Sequence, residues 1–172
     1  LRFWQKIQSL PRQAGLAIMA VGEAKTPKLI PVPGIRIGTA CAGIKRTSRD
    51  DLVVFAMAEG GVCAATFTRN AFCAAPVTVA KQHLVHAPRW LIVNSGNANA
   101  GTGSKGLDDA LSTCLAVADL TGGAATQVLP FSTGVIGAYL PVDKIAAALP
   151  RAVASLSENH WDKAMLAIMT TD

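Results

Sequence analysis

The chain has 172 residues, of which 51% are apolar and 16% charged, so it can form a packed core and is not intrinsically disordered. Its net charge of +5 comes from scattered lysines and arginines, which favours a solvated surface over a nucleic-acid-binding one. The chain has no apolar run long enough for a transmembrane helix, and its four cysteines lack zinc-site spacing. Cys63 and Cys73 lie in apolar runs, which predicts buried free thiols.

The first 22 residues differ in character from the rest of the chain. They carry three basic residues before the first acid, Glu23, together with a short apolar run that contains Met19. This pattern is compatible with a signal or transit peptide. Because the apolar run is short and a natural N-terminus could begin at Met19, we expect residues 1–18 to be upstream translated sequence. We therefore place residues 1–22 outside the fold and residues 23–172 within it.

The N-terminal half is predicted to consist mainly of strands. Prolines in residues 23–34 favour an extended lead-in, and a polar turn is predicted at residues 45–51. The apolar run that follows is predicted to be a strand ending at Gly60, with residues 62–70 as its partner in a hairpin. A short helix is predicted near residues 77–85.

The C-terminal half alternates strands with helices. Residues 89–96 and 127–137 are predicted to contain strands, the first of them central and buried on both faces. Helices are predicted between them and after them. The first has Leu107, Leu111, Leu115 and Ala118 at helical spacing before Gly122; the second begins near Pro141, with a break or kink at Pro150; the third places Trp161, Met165 and Ile168 on one face. This order predicts α/β layers with an antiparallel or mixed sheet.

The segment 94–103, NSGNANAGTG, is the most unusual part of the sequence. Small side chains allow main-chain amides to approach a ligand closely. Asparagine and glycine also form tight left-handed turns without any ligand. The segment matches neither the phosphate-loop pattern nor the GxGxxG dinucleotide pattern. Both a ligand loop and a structural connector into the next helix remain open.

Two further segments offer hydroxyl groups. In FSTGVIG, residues 131–137, Thr133 and Gly134 follow an apolar strand, where a hydroxyl and a main-chain N–H could form an oxyanion hole. A strand-to-turn transition, with Gly134 and Gly137 selected for their φ angles, explains the same pattern. In AIMTTD, residues 167–172, Thr170 and Thr171 could cap a helix or contact a ligand. The chain has no GxSxG motif or histidine triad of the kind that hydrolases use.

Five segments together resemble the ornithine acetyltransferase family, the bifunctional glutamate N-acetyltransferases of arginine biosynthesis. They occur in the family's order and span residues 31–172: PVPGIRIGTACAGIK, CAATFTRNAFCAAPV, LIVNSGNANAGTG, LPFSTGVIG and AIMTTD. The resemblance implies an α/β fold, a layered α+β sandwich of mixed sheets flanked by helices, which self-processing N-terminal-threonine aminopeptidases share.

The resemblance also implies a self-cleaving precursor. Residues 23–172 would be the α-chain portion of a single catalytic domain, completed by a β chain that begins with a nucleophilic threonine, in a cytoplasmic α2β2 heterotetramer. Acetyl would pass from N-acetylornithine to glutamate by a ping-pong mechanism, with acetyl-CoA as a possible co-substrate and no other cofactor or metal. The family's cleavage segment, Lys-Gly leading to Met-Ala-Thr, does not occur in this sequence, so we expect the nucleophile elsewhere.

The resemblance assigns roles to four residues. Thr133 and Gly134 correspond to the oxyanion hole, and Thr170 or Thr171 corresponds to a substrate contact. An alternative is the α chain of a self-processing aminopeptidase with the same fold. A third possibility is a binding module without catalytic activity that uses the glycine-rich segment as a ligand loop.

Overall fold

The computed structural model describes residues 29–169, and the structural statements that follow concern this part of the chain. Its elements, in chain order, are β1 Ile35–Ala40, β2 Leu52–Met57, α1 Ala75–His83, β3 Trp90–Asn97, α2 Gly103–Thr121, β4 Val128–Val135, α3 Val142–Ala154 and α4 Trp161–Ile168. Single 3-10 turns occupy Leu84–His86 and Ala125–Gln127. The predicted boundary between residues 22 and 23 lies outside the described residues.

The four strands form one mixed sheet in the order β1-β2-β3-β4. β2 runs antiparallel to both β1 and β3, whereas β3 and β4 are parallel. A loop joins β1 to β2 as a hairpin, while α2 makes the longer crossover that two parallel strands require. The predicted mixed sheet, the turn at residues 45–51 and the inner position of β3 are confirmed.

The predicted hairpin between the strand ending at Gly60 and residues 62–70 is wrong. β2 pairs with β1 along one edge and with β3 along the other, so neither edge is free for a third partner. Residues 62–74 contain no helix or strand, and most of them are exposed. The alternating apolar residues in this segment fit the local pattern of a strand. However, both edges of β2 are paired with strands that are more distant in sequence.

Helices cover both faces of the sheet. On one face α2 and α3 bury a core of mainly aliphatic side chains that includes Leu52, Val54, Ile92, Val117, Ile145 and Leu149. On the other face α4 packs Ala164 and Ala167 against Ile37 and Val53. Trp161 of α4 meets Phe55 edge-on, with ring centroids 6.2 Å apart. This arrangement leaves the ends of β3 and β4 accessible beside the C-terminal end of α4.

The helices lie where they were predicted, and the structure adds which of their residues are buried. The stop at Gly122 is confirmed, with a left-handed φ of 75°. The helix predicted from the spacing of Leu107, Leu111, Leu115 and Ala118 is confirmed as α2. Its buried stripe consists mainly of smaller residues, including Ala110, Cys114 and Val117, whereas Leu111 and Leu115 are exposed. None of the helices between residues 29 and 169 has the length and apolarity needed to cross a bilayer.

Of the predicted break or kink at Pro150, the break is absent from α3. The helix continues through it to Ala154, with Ile145, Leu149 and Ala152 buried. α3 lies against β1 so closely that a β-carbon on Gly38 would be 1.9 Å from the Ala152 carbonyl oxygen. This packing offsets the hydrogen bond lost at a proline inside a helix, which costs about 3 kcal/mol.

All four cysteines are free thiols, but the predicted burial of two of them is wrong. Cys73 is exposed and Cys63 is only partly buried, since both belong to residues 62–74, which pack into no core. The buried thiol is Cys114 on α2, which reaches the Val128 carbonyl oxygen at 3.6 Å.

A candidate oxyanion site at the ends of β3 and β4

The parallel strands β3 and β4 end side by side, and this juncture contains both residues predicted for the oxyanion hole. Ser95 is paired with Thr133, and Gly96 with Gly134. The register then shifts, because Asn97 is aligned with both Thr133 and Val135, which marks a bulge. Bulges interrupt the hydrogen-bond ladder and re-aim the groups beside them. Thr133 is half-buried, and Gly134 is exposed at the strand end.

Gly134 cannot be replaced by a residue with a side chain without a local shift of the main chain. Its φ is +132°, and a β-carbon there would lie 2.4 Å from the carbonyl carbon of Gly96 and 2.6 Å from the nitrogen of Asn97. Gly137 also has a positive φ, of +80°, but a β-carbon there would meet no atom within 4 Å. The prediction that both glycines serve special φ angles is therefore confirmed, and Gly134 additionally permits close contact between the strands.

Asn94 lies beneath this juncture and is almost fully buried. Its side-chain oxygen accepts a hydrogen bond of 2.5 Å from the hydroxyl of Ser132, the residue before Thr133. Its side-chain nitrogen donates to the carbonyl oxygen of Asn97 at 2.8 Å, beyond the bulge. The Asn94 amide therefore links β3 to β4 before the paired glycines, and within β3 it spans Ser95 and Gly96 to reach Asn97.

The remaining asparagines of residues 94–103 also bind mainly to the protein itself. Asn97 donates to the carbonyl oxygens of Ala138 and Tyr139 at 3.2 and 3.0 Å. Asn99, fully buried with a left-handed φ of 46°, donates to the carbonyl oxygen of Gly106 at 2.8 Å and accepts from Thr102. These contacts favour the connector interpretation of the segment for its asparagine side chains. Sequence reasoning singled out the segment but not its place directly beside Thr133 and Gly134.

The C-terminal end of α4 is tied to the same juncture. The Ser95 hydroxyl donates a hydrogen bond of 2.6 Å to the carbonyl oxygen of Ala167, and the Arg49 guanidinium donates to that of Met169. Paired residues of adjacent strands point to the same face of a sheet, so Thr133 shares the α4 face with Ser95. Thr170 and Thr171 themselves lie outside the described residues. The structure thus places the start of the AIMTTD segment beside the strand that pairs with Thr133.

Positive side chains surround the exposed side of Gly96. A cavity of about 20 Å³ is lined by Lys45, Arg46 and Arg49 together with Ser95 and Gly96. The carboxylate of Asp51 also borders this cavity, but it accepts hydrogen bonds from the main-chain N–H groups of residues 42 and 44 at 2.6 and 2.7 Å. The local field near Gly96 therefore favours a negatively charged group.

A larger apolar cavity lies on the opposite side of the strand pair. It has a volume of about 270 Å³ and is bordered by residues 65–68, by α1 and by Phe131 and Ser132 of β4. Within residues 29–169, no histidine or carboxylate forms a hydrogen bond with Thr133. Among the described residues, Thr133 therefore has no hydrogen-bonded base that would activate it as a nucleophile, whereas the positive side chains near Gly96 favour negative charge at the strand ends.

Comparison with known proteins gives this site a context. Residues 36–172 match the ArgJ family. The arginine biosynthesis bifunctional protein ArgJ of Methylococcus capsulatus is 66% identical over 145 residues, which cover 84% of this chain and 36% of that protein. The protein of the same description from Pseudomonas fluorescens is 55% identical over 154 residues, covering 90% of this chain and 38% of its own length. The chain thus spans little more than a third of these curated relatives.

Solved structures share the fold. Ornithine acetyltransferase of Mycobacterium tuberculosis, complexed with ornithine, superimposes with a TM-score of 0.77 at 39% identity, covering 83% of this chain and 78% of that one. ArgJ of Bacillus halodurans gives a TM-score of 0.71 at 32% identity, covering 81% and 74%. These matches confirm the predicted α/β fold of the ornithine acetyltransferase type. With the family match across residues 36–172 and the identity to the Methylococcus protein, they establish that the chain belongs to the ArgJ family.

Proposed function

We propose that this chain is the α-chain portion of a glutamate N-acetyltransferase, which moves acetyl from N-acetylornithine to glutamate in arginine biosynthesis. The observation that carries the proposal is the pairing of Thr133 and Gly134 with Ser95 and Gly96 at a bulged strand end. The relatives' description as bifunctional proteins of arginine biosynthesis supports the pathway. The ornithine complex of the tuberculosis enzyme supports the substrate class.

In the proposed mechanism the nucleophile is a threonine at the N-terminus of a separate β chain. Its hydroxyl attacks the acetyl carbonyl of N-acetylornithine, and its own α-amine takes the proton and returns it to the ornithine nitrogen as the amide bond breaks. The amine of glutamate then attacks the resulting threonine ester, which forms the amide of N-acetylglutamate and restores the threonine hydroxyl. Both steps pass through a tetrahedral oxyanion, which the Thr133 hydroxyl and the Gly134 N–H stabilise. Removing one such donor typically costs about 10²–10³ in rate.

Thr170 or Thr171 completes the proposed site as a substrate contact. The support is the anchoring of the preceding residues: Ser95 holds the carbonyl of Ala167 and Arg49 holds that of Met169. The anchored residues, Ala167 to Met169, lie at the end of α4, on the same face of the sheet as Thr133. Acetyl-CoA is a possible second acetyl donor, and the complete enzyme is proposed to be a cytoplasmic α2β2 heterotetramer.

A self-processing aminopeptidase with the same fold is the second candidate, since it needs the same oxyanion stabilisation. One assay separates the two functions. The purified complete protein is incubated either with N-acetylornithine and glutamate or with peptides that have a free N-terminus. Formation of N-acetylglutamate supports the transferase, whereas release of N-terminal residues without acetyl transfer contradicts it.

Substitution of Thr133 tests the proposed role directly. In the complete protein, Thr133→Ala removes the hydroxyl donor, and we expect a loss of about 10²–10³ in kcat with a smaller change in KM. Precursor cleavage should slow as well, because it also forms a tetrahedral intermediate. Thr133→Ser retains a donor and should keep much of both activities.

The control for Thr133 is Thr121→Ala at the far end of α2, where the hydroxyl bonds only to the Val117 carbonyl. Melting temperatures measured beside the rates separate catalysis from packing. If Thr133 only packs, the alanine and serine variants lose similar stability because both lack the methyl group. Unchanged kcat and unchanged processing in Thr133→Ala would remove this residue from the mechanism.

A further inference from the structure

Two glycines face each other where the proposed oxyanion donors must be held in place. Gly96 and Gly134 both have positive φ angles, of 100° and 132°, and the ladder between β3 and β4 shifts register beside them. Glycine is the residue with the greatest main-chain freedom, and a bulge removes regular hydrogen bonds. The ladder by itself is therefore a weak restraint on the direction of the Gly134 N–H.

Asn94 supplies a restraint on the near side of this juncture. It is 4% exposed, accepts from the Ser132 hydroxyl and donates to the carbonyl of Asn97. A buried amide stabilises a fold only when its polar atoms are paired. Here the oxygen is paired with β4 before the bulge, and the nitrogen is paired with Asn97 of the same strand beyond it. Movement of Ser132 relative to Asn97 would break these bonds, so the position of Thr133 is coupled to Asn94.

Asn97 supplies the restraint on the far side. It is 5% exposed, and its nitrogen donates to the carbonyl oxygens of both Ala138 and Tyr139, in the loop that follows Gly134. Its oxygen accepts from the N–H of Asn99 at 2.8 Å. The pair Thr133 and Gly134 is thus fixed by one asparagine before it and by another after it.

We infer that Asn94 and Asn97 are positioning residues that hold Thr133 and Gly134 in the geometry needed to stabilise an oxyanion. This inference rests on the proposed function. Neither asparagine touches the reacting atoms in this arrangement. Asn94 acts through the Ser132 hydroxyl, and Asn97 acts through the carbonyl groups of residues 138 and 139, after β4. A misplacement of about 1 Å in such a site can cost about 10²-fold in rate, which is the loss expected when either restraint is removed.

The test is a double-mutant cycle in the protein expressed from its complete coding sequence. Asn94→Ala, Thr133→Ala and the double variant are compared for kcat and KM with N-acetylornithine and glutamate. If Asn94 acts through Thr133, the loss in kcat for the double variant is well below the product of the two single losses. A double variant that loses the full product would overturn the inference.

Ser132 keeps the test informative if Asn94→Ala fails to fold. Ser132→Ala removes only the hydroxyl partner of Asn94, and Ser132→Thr restores a hydroxyl. We expect Ser132→Ala to lower kcat and Ser132→Thr to recover much of the loss. Equal kcat in the unmodified protein, Ser132→Ala and Ser132→Thr would contradict the role of the Asn94 contact with β4.

Ser155→Ala is the matched control for a merely structural effect. The Ser155 hydroxyl accepts from the Thr39 N–H at 3.1 Å and donates to the Ala152 carbonyl at 2.9 Å, linking α3 to β1 away from the site. It should lower the melting temperature and leave kcat unchanged. Asn97→Ala should lower kcat when its loss of melting temperature is comparable to that of Ser155→Ala. An Asn97→Ala variant that loses stability but keeps its kcat would overturn the inference. If the unmodified protein transfers no acetyl group, the proposed function itself fails. If Thr133→Ala leaves kcat unchanged, the proposed oxyanion role of Thr133 fails and the positioning role fails with it. If Thr133→Ala lowers kcat and the double variant loses the full product of the two single losses, only the positioning role is refuted.

Discussion

A β-carbon on Gly134 would lie 2.4 Å from the carbonyl carbon of Gly96, so the two strands touch through their main chains at this point. Gly96 is also restricted, since a β-carbon there would be 3.0 Å from that of Lys45. Because neither Gly96 nor Gly134 has a side chain, β3, β4 and the loop after β1 can approach one another closely here. The convergence leaves Gly134 exposed at the end of the sheet, paired with Gly96, which lines the positive cavity.

Gly134→Ala should therefore impair both stability and activity. The left-handed φ costs about 1–3 kcal/mol for a residue with a β-carbon, and the contact with Gly96 adds a main-chain displacement to that cost. Gly137→Ala is the matched control, since it has a positive φ but open space around the added carbon. We expect both variants to lose stability in urea unfolding, with acetyl transfer abolished only in Gly134→Ala. Retained activity in Gly134→Ala would show that its geometry is not needed.

Ser95→Ala should detach the C-terminal end of α4 from β3. The change leaves the buried carbonyl of Ala167 without its 2.6 Å hydrogen bond, which typically costs about 1–3 kcal/mol. If Thr170 and Thr171 contact substrate, KM should rise more than kcat falls. Ser112→Ala, which removes an exposed hydroxyl bonded to the carbonyl of Asp108, should change neither stability nor KM. An unchanged KM in Ser95→Ala would separate this anchor from substrate binding.

The sequence predicts the parts of the fold that depend on local pattern. Periodicity and glycine positions predict the buried strand before Asn94 and the helix that ends at Gly122, and a polar run predicts the turn at residues 45–51. The partner of β2 was not, because pairing is decided by distant segments that compete for its two edges. The burial of α2 also differs from the leucine pattern, since contact with the sheet selects the small residues Ala110 and Cys114 over Leu111.

The sequence predicts the candidate oxyanion residues of the site, but it does not predict the contacts that hold them in position. Thr133 and Gly134 stand out at a strand end, and the asparagines of residues 94–103 are conspicuous in composition. What sequence patterns do not contain is the register between β3 and β4, which pairs Ser95 with Thr133 and makes Asn94 a neighbour of Ser132. Register is a tertiary property, set by packing of the two helical layers on the sheet.

Thiol reactivity should distinguish the cysteines in the folded chain. Cys73 is exposed, whereas Cys114 is buried on α2 and burial raises its pKa to about 12. Because the thiolate is the reactive form, an alkylating reagent at neutral pH should modify Cys73 first and Cys114 only after unfolding. Peptide mass mapping with and without denaturant checks the order. Slow labelling of Cys73 in the complete protein, with rapid labelling of the isolated α chain, would indicate that a second chain covers residues 62–74.

The free energy of unfolding should decrease at alkaline pH because of Cys114. Burial raises the pKa of this thiol from its ordinary value of 9.0 to about 12, so the folded state keeps the proton that the unfolded chain releases. Below the unfolded pKa both states are protonated and the contribution to stability is fully present. As pH rises from about 9 towards 12, the unfolded state gains up to about 1.36 kcal/mol per pH unit.

Urea unfolding at about pH 8 and about pH 10.5 measures this difference, with an expected loss of about 2 kcal/mol attributable to the thiol. Cys114→Ala removes the titrating group, so its loss between the two pH values should be smaller than that of the unmodified protein. Cys73→Ala removes an exposed thiol and should retain the full loss. All titrating groups apart from the two substituted thiols are common to the three proteins. Parallel pH dependence in Cys114→Ala and the unmodified protein would therefore exclude Cys114 as the origin of the alkaline destabilisation.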